Sequence, residues 1–313
     1  MSTHDIPIGS HEQAPSLPKQ VFVTGANGFI GRALAKRYRD LGVHVRGVDI
    51  TADVEWNVVA GNIAETGAWQ AHARGSDLVI NTAAVVSNMA PRELYWRVSV
   101  NGVRKALDAA VAAGAMRFVQ ISSCAAFGKR FPPNVEETYP VAAATGRNYD
   151  DAKGGGEHPA LAAHAAGEIA CTVVRPGDVY GPGSRPWVLI PLAAIASGTF
   201  LLPAHGKGIL SPIYIDDLVD GIVRLMASGL EDAVNIGRPE YVSVDGLVGM
   251  IASAAGKTIR MKHIPGPVGV HARGFTNDRI RSTGWESKFS LRDGIGRTYP
   301  WIEAQVKAAR AEK

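Results

Sequence analysis

The sequence predicts an α/β fold: a doubly wound parallel sheet followed by a smaller and less regular C-terminal region. Short apolar runs alternate with longer segments whose apolar residues recur three and four apart, as repeated β-α-β units require. That rhythm holds to about Pro176 and then breaks. Beyond it, Pro and Gly crowd the segments RPGDVYGPGSRP, LLPAHGKG and HIPGPVG, which punctuate the chain into turns.

Taken in order, residues 1–18 (MSTHDIPIGSHEQAPSLP) carry neither the apolar stretch of a secretory leader nor an amphipathic period, and read as a flexible tail. The predicted strands are QVFVTG (20–25), HVRGVDI (44–50), VEWNVVAG (54–61), DLVINTAA (77–84), RFVQISS (117–123) and CTVVRP (171–176). Between them, GFIGRALAKRYRDLG (28–42) and VSVNGVRKALDAAVAAGA (98–115) have the spacing of helices packed on a sheet. Residues 19–175 therefore read as the sheet-bearing domain. Residues 176–313 read mainly as a smaller covering region, interleaved with the last strands of the sheet.

Composition narrows the function. With 313 residues, 46% of them hydrophobic and 20% charged, the chain can bury a full-sized core. The formal charge of +4 comes from scattered Lys and Arg, which argues against a nucleic-acid partner. Cys124 and Cys171 lack paired spacing, so neither a disulfide framework nor a zinc site follows. His72, His158, His164 and His205 show no ligand spacing, and no metal is expected. No stretch reaches the roughly 18 apolar residues of a membrane span, and the expected location is cytoplasmic.

The strand VFVT runs into Gly25-Ala26-Asn27-Gly28-Phe29-Ile30-Gly31 and then into a helix. Gly25 permits the tight turn, Gly28 lets backbone approach a pyrophosphate, and Gly31 lets helix press on strand. The helix N-terminus offers free N–H groups to phosphate. Asp49 closes the second strand, placed to accept from the hydroxyls of an adenosine ribose. This is the signature of a Rossmann-type dinucleotide site. A carboxylate there repels a 2′-phosphate, and Ile50, Thr51 and Ala52 supply no guanidinium, which favours NAD over NADP. Arg32 and Arg46 are the nearest cations that could reverse the choice.

Eight pieces stand in one order: TGANGFIG, Asp49 in GVDI, GNI (61–63), NTAA (81–84), VSVNG, ISSCAAFG, YDDAK and VRPGDVYGPG. Together they make the chain resemble the extended short-chain dehydrogenases/reductases, which include sugar-nucleotide epimerases and dehydratases and the 3-beta-hydroxysteroid dehydrogenases. The resemblance runs from Lys19 to about Trp301. It implies Ser123, Tyr149 and Lys153 as catalytic residues. It implies a cofactor lined by Gly25, Asn27, Gly28, Phe29, Ile30, Gly31, Asp49, Asn62, Ile63, Ala83, Ala84, Asn101, Tyr149, Lys153, Pro176 and Val179. A homodimer acting on a small molecule is the expected assembly.

The chemistry supports the spacing. Residues four apart share a helix face, which places Lys153 beside Tyr149. A nearby ammonium favours ionisation of a phenol whose ordinary pKa is about 10. Tyr149 then serves as general base toward an alcohol or general acid toward a ketone. Three glycines follow Lys153, which lowers helix propensity by about 1 kcal/mol each relative to Ala and predicts local mobility.

Departures from the family pattern bear on the substrate. Asn62 replaces the usual acid of Gly-Asp-apolar, and Asp178 stands where asparagine is common. Leu210 takes the place of the arginine that clamps a diphosphate in sugar-nucleotide enzymes. Phe127, Trp187, Phe200, Leu201 and Leu202 supply apolar walls for a pocket. The chain end (ARGFTNDRIRSTGWESKFSLRDGIGRTYPWIEAQV) instead resembles epimerases acting on GDP-mannose, with Arg273 matching a phosphate-binding arginine. The sequence thus favours an NAD-dependent interconversion of secondary alcohol and ketone on an apolar substrate. A sugar-nucleotide epimerase or dehydratase with transient oxidation is the alternative. A cofactor-binding scaffold without turnover is disfavoured by the intact Tyr149 and Lys153.

Overall fold

The computed structural model describes residues 17–87, 90–128, 131–142, 144–196, 199–203, 208–258, 260–264 and 274–311. Nearly all of the 1–18 tail, and Arg273, lie outside the described residues.

β1 (Gln20–Thr24) leads into α1 (Phe29–Asp40), which returns the chain to β2 (His44–Asp49), β3 (Val58–Ala60) and β4 (Leu78–Asn81). α2 (Arg92–Trp96), a π-helical turn over Arg97–Asn101 and α3 (Gly102–Ala113) run into one another before β5 (Arg117–Ile121). α4 (Asn148–Ala165) precedes β6 (Ala170–Pro176). The remaining elements are β7 (Asp178–Tyr180), α5 (Ile190–Ala196), β8 (Thr199–Pro203), β9 (Ile209–Leu210), β10 (Pro212–Tyr214), α6 (Ile215–Ser228) and β11 (Asp232–Ile236). β12 (Val242–Ser243), α7 (Val244–Ala254), β13 (Arg260–Ile264), α8 (Asp278–Arg281) and α9 (Leu291–Ala311) follow.

Seven parallel strands form the main sheet in the order β3-β2-β1-β4-β5-β6-β11. The order reverses between β1 and β4, which opens a crevice outside the carboxyl ends of the strands, where ligands bind in such sheets. Alternation along β1 divides the core. Val21 and Val23 pack with Leu34 and Tyr38 of α1 and Leu218 and Ile222 of α6, whereas Phe22 joins Leu107 of α3 and Ala160 and Ala163 of α4 on the other face. The helices thus cover both faces, as the buried, nearly continuous apolar strands demand.

Three small pairings, β7 with β10, β8 with β13 and β9 with β12, shape the region above the carboxyl edge. The two halves of the chain are interlocked. β11 pairs with β6 from Asp232↔Thr172 to Ile236↔Pro176. Val135, between β5 and α4, donates from its N to the Gly274 carbonyl and accepts at its own carbonyl from Thr276 N, each at 2.9 Å.

One expectation needs correction. The predicted strand at 54–61 contracts to Val58–Ala60, because Asp53 and Val58 close a turn in which Asn57 takes a left-handed φ of 52°. That turn lifts Trp56 off the sheet and onto two arginines. α4 runs continuously across the three glycines after Lys153. A Cβ on Gly156 would lie 2.3 Å from the Ser99 carbonyl, and one on Gly155 3.2 Å from Val100, so this face is where α4 meets the π-helical turn.

Candidate active site

The glycine loop follows β1 because its backbone requires it. Gly25 has φ +68°, and a Cβ there would come within 2.8 Å of the Ala83 backbone; a Cβ on Gly31 would meet the Gly25 carbonyl at 2.2 Å. Thr82, which the sequence reading did not single out, donates from Oγ1 to the Thr24 carbonyl at 2.7 Å and so ties the end of β4 to the loop. Its role depends on a contact 58 residues away in sequence, which no local pattern announces. Phe29 and Ile30 open α1 and are half-buried; Gly28 is its N-cap, with no side-chain cap and no acid in the first turn. Those orphan N–H groups suit a pyrophosphate.

Asp49 ends β2 beside this loop. Its carboxylate accepts from Asn27 N at 2.8 Å and from Ile50 N at 2.7 Å, which aims it along the crevice edge. The Asn27 side chain donates to the Thr51 carbonyl at 2.8 Å. Bare backbone at the glycines, an uncapped helix start and a fixed carboxylate together fit a dinucleotide. The neighbouring positions are less uniform. Ala83 and Ala84 are half-buried at the end of β4, and Pro176 and Val179 flank the turn from β6 to β7. Asn62 spends its side chain locally, accepting from Ala64 N at 3.0 Å, and Ile63 is buried in the core against Gly102. Asn101 is exposed on the π-helical turn, and the buried polar residue of that turn is Ser99, whose Oγ accepts from Val85 N at 3.1 Å.

Ser123, Tyr149 and Lys153 meet at the carboxyl edge of β5. Ser123 caps the short turn after β5, its Oγ accepting from Ala125 N at 3.1 Å, and a side-chain hydrogen bond joins it to the Tyr149 phenol. One helical turn further on, Lys153 donates to the Ile121 carbonyl at 3.0 Å, with its Nζ 5.9 Å from the centre of the Tyr149 ring. Burial pushes the Tyr149 phenol above its ordinary pKa, against the lowering expected from the lysine, and the Ser123 hydrogen bond pulls it back only in part. Lys153 is itself pushed down to about 8 by burial, opposed by Glu157. Beside Tyr149 lies an open cavity of about 230 Å³ lined by Tyr95, Gly146, Arg147, Asn148 and Tyr149.

Beneath Ser123, Tyr149 and Lys153 lies a buried network that the sequence reading did not foresee. Ser122 donates to Glu157 Oε1, and Arg175 grips Glu157 from Nε at 3.0 Å and from Nη2 to the other oxygen at 2.7 Å. Arg175 Nη1 donates to the Glu137 carbonyl at 2.8 Å, and the guanidinium lies 4.8 Å from the Phe127 ring centre. Glu157 falls four residues after Lys153, so the spacing that marked Tyr149 and Lys153 extends one turn further.

The substrate-side positions divide. Asp178 is buried, accepting from Ser211 N at 2.9 Å, and it faces Tyr149 closely enough to oppose the phenol's ionisation. Leu210 is 2% exposed and belongs to the main core. Phe127 packs with Phe131 and Phe275 in a satellite core, not a pocket wall, while Trp187 and Phe200 are half-buried. The side chains of Leu201 and Leu202 lie outside the described residues.

With this geometry in place, residues 21–237 match the sequence model of the NAD dependent epimerase/dehydratase family. GDP-mannose 3,5-epimerase 1 of Oryza sativa subsp. japonica is 28% identical over 326 residues, covering 95% of this chain and 85% of its own. dTDP-glucose 4,6-dehydratase of Streptomyces griseus is 28% identical over 310 residues, covering 90% and 93%. Among solved structures, MoeE5 in complex with UDP-glucose and NAD superposes with a TM-score of 0.80 at 25% identity, over 92% of this chain and 99% of that one.

Proposed function

Because the chain belongs to the NAD-dependent epimerase/dehydratase family, enzymes of the extended short-chain dehydrogenase/reductase type, we propose that it binds NAD and remodels the sugar of a nucleotide sugar through transient oxidation. The convergence of Ser123, Tyr149 and Lys153 at the carboxyl edge of β5 carries the chemical part of this reading. The relatives carry the substrate class and turn the balance away from the apolar alcohol that the sequence alone favours.

Bound NAD would supply reversible hydride acceptance; the glycine loop and the start of α1 would hold its pyrophosphate, and Asp49 its adenosine ribose. Tyr149 removes the proton from the sugar hydroxyl, with Ser123 hydrogen-bonding the same oxygen as it becomes a ketone. Lys153 orients the nicotinamide ribose and, when protonated, offsets the burial that disfavours the Tyr149 phenolate.

The test is product analysis after incubation with NAD and a panel of GDP-, dTDP- and UDP-sugars, with NADH absorbance followed in parallel. Turnover of a nucleotide sugar without NADH accumulation supports the proposal. Tyr149→Phe should then lose at least about a hundredfold in kcat, the usual contribution of a general acid–base. One observation favours a second reading, net oxidation of an apolar alcohol: the site expected for a diphosphate-clamping arginine holds the buried Leu210. Steady NADH growth with a hydrophobic alcohol, and none of the sugars turning over, would decide for it.

A further inference from the structure

The proton relay leaves unused an ion pair at the outer side of the glycine loop. Arg32, in the first turn of α1, donates through Nη2 to Asn27 Oδ1 and to Asp53 Oδ2, each at 2.7 Å. Its guanidinium lies 4.5 Å from the Trp56 ring centre, and Arg39 stacks on the same ring at 4.5 Å. Asn27 N donates in turn to Asp49, so Arg32 stands one residue away from the carboxylate assigned to the adenosine ribose. Arg32 Nη1 is buried and has no hydrogen-bond partner among the described residues. Asp53 also accepts from Trp56 N at 3.3 Å, which fixes the turn that presents the ring.

We propose that Asp53 determines coenzyme choice by pinning Arg32, a latent ligand for the 2′-phosphate of NADP, against Trp56 and Asn27. The inference rests on the reading that the chain binds a nicotinamide dinucleotide. A guanidinium is the group best shaped to take a phosphate bidentately, and Arg32 is tied through Asn27 to the Asp49 carboxylate at the ribose corner. In the present arrangement its charge is paired with Asp53. Removing Asp53 leaves a cation held by one neutral acceptor and a ring, at the place where the two coenzymes differ. Asp49 is common to every variant below, so its own repulsion of phosphate cancels in the comparison.

The experiment measures the dissociation constants of NADH and NADPH by titration calorimetry on the full chain, for wild type, Asp53→Ala and Asp53→Ala/Arg32→Ala. Asp53→Asn, which keeps an acceptor for Trp56 N, replaces the alanine variant should that one fail to fold. Wild type should prefer NADH. The Asp53 variant should shift the NADPH-to-NADH ratio by about tenfold or more toward NADPH, the scale of one hydrogen bond to a charged group, and removal of Arg32 should abolish the shift. A wild type that binds NADH while the Asp53 variants keep its ratio overturns the role of Asp53. A shift that survives loss of Arg32 overturns the role of Arg32. Binding of neither dinucleotide by a folded wild type removes the cofactor reading itself, and this inference with it.

Discussion

Lys153 is 7% exposed and donates to the Ile121 carbonyl, an environment that has stripped its ammonium of most of its water. Its pKa falls from 10.5 to about 8 on burial. Between those values the unfolded chain binds more protons than the native one, so stability rises with pH across that window and the penalty is constant below it. The buried phenols run the other way. Tyr38, Tyr149, Tyr180 and Tyr214 are all raised from 10.0, so stability is lost above that pH as their unfolded counterparts ionise. Urea melts from pH 7 to 10 should therefore show a gain of about 3 kcal/mol or less that begins near pH 8. Lys153→Met should erase it; parallel profiles for the two proteins would show that the lysine is not the source. At this scale local spacing singled out residues that the structure draws around the proposed site, Gly25, Gly28, Gly31, Asp49, Tyr149 and Lys153. It was silent on Asp53 and Trp56, whose meaning comes from a side-chain stack onto α1.

Among the elements, α4 unites the proposed catalytic face with a glycine-lined packing face. Replacing a helical glycine by alanine gains about 1 kcal/mol in propensity, and overpacking costs about 1–3 kcal/mol. At Gly156 the new Cβ would face a backbone carbonyl at 2.3 Å, so the cost wins and Gly156→Ala should destabilise by about 1–3 kcal/mol. At Gly155 the contact is a Val100 methyl at 3.2 Å that can yield, and the same change should be close to neutral. Thermal melts of the two variants distinguish a packing role from simple flexibility: equal effects would refute it. The Glu157–Arg175 pair supports the same helix from below. Glu157→Gln leaves Arg175 buried without its counter-charge and should cost about 3–5 kcal/mol, read as a lowered denaturation midpoint. Periodicity located α1, α3 and most strands, but it carried one helical phase through 98–115. The π-helical turn at Arg97–Asn101 breaks that phase, which is why Asn101 is exposed and Ser99 turns inward.

For the whole molecule, the division at about residue 176 read from composition describes texture more than independence. The sheet is closed by β11 from the far half, and the segment before α4 is strapped to Gly274 and Thr276. The sequence reading already placed the last strands of the sheet in the far half, but no local pattern names which residues pair, because parallel strands join through long crossovers. A fragment ending at residue 181 should accordingly fail to give a cooperative melt, and adding the complementary fragment should restore one. A sharp transition in the first fragment alone would refute the dependence.

The late return of β11 also matters while the chain is being made. Some sixty residues separate Pro176 from Ile236, about 3–12 s of translation at ordinary ribosomal rates. Collapse and strand formation take microseconds, so the nascent β6 waits, finished on one side and open on the other. An unpaired apolar edge is a template for a wrong partner. The time for which it stays open is set by the ribosome, and slower elongation beyond residue 176 should lower the yield of native protein while leaving the stability of the finished molecule untouched.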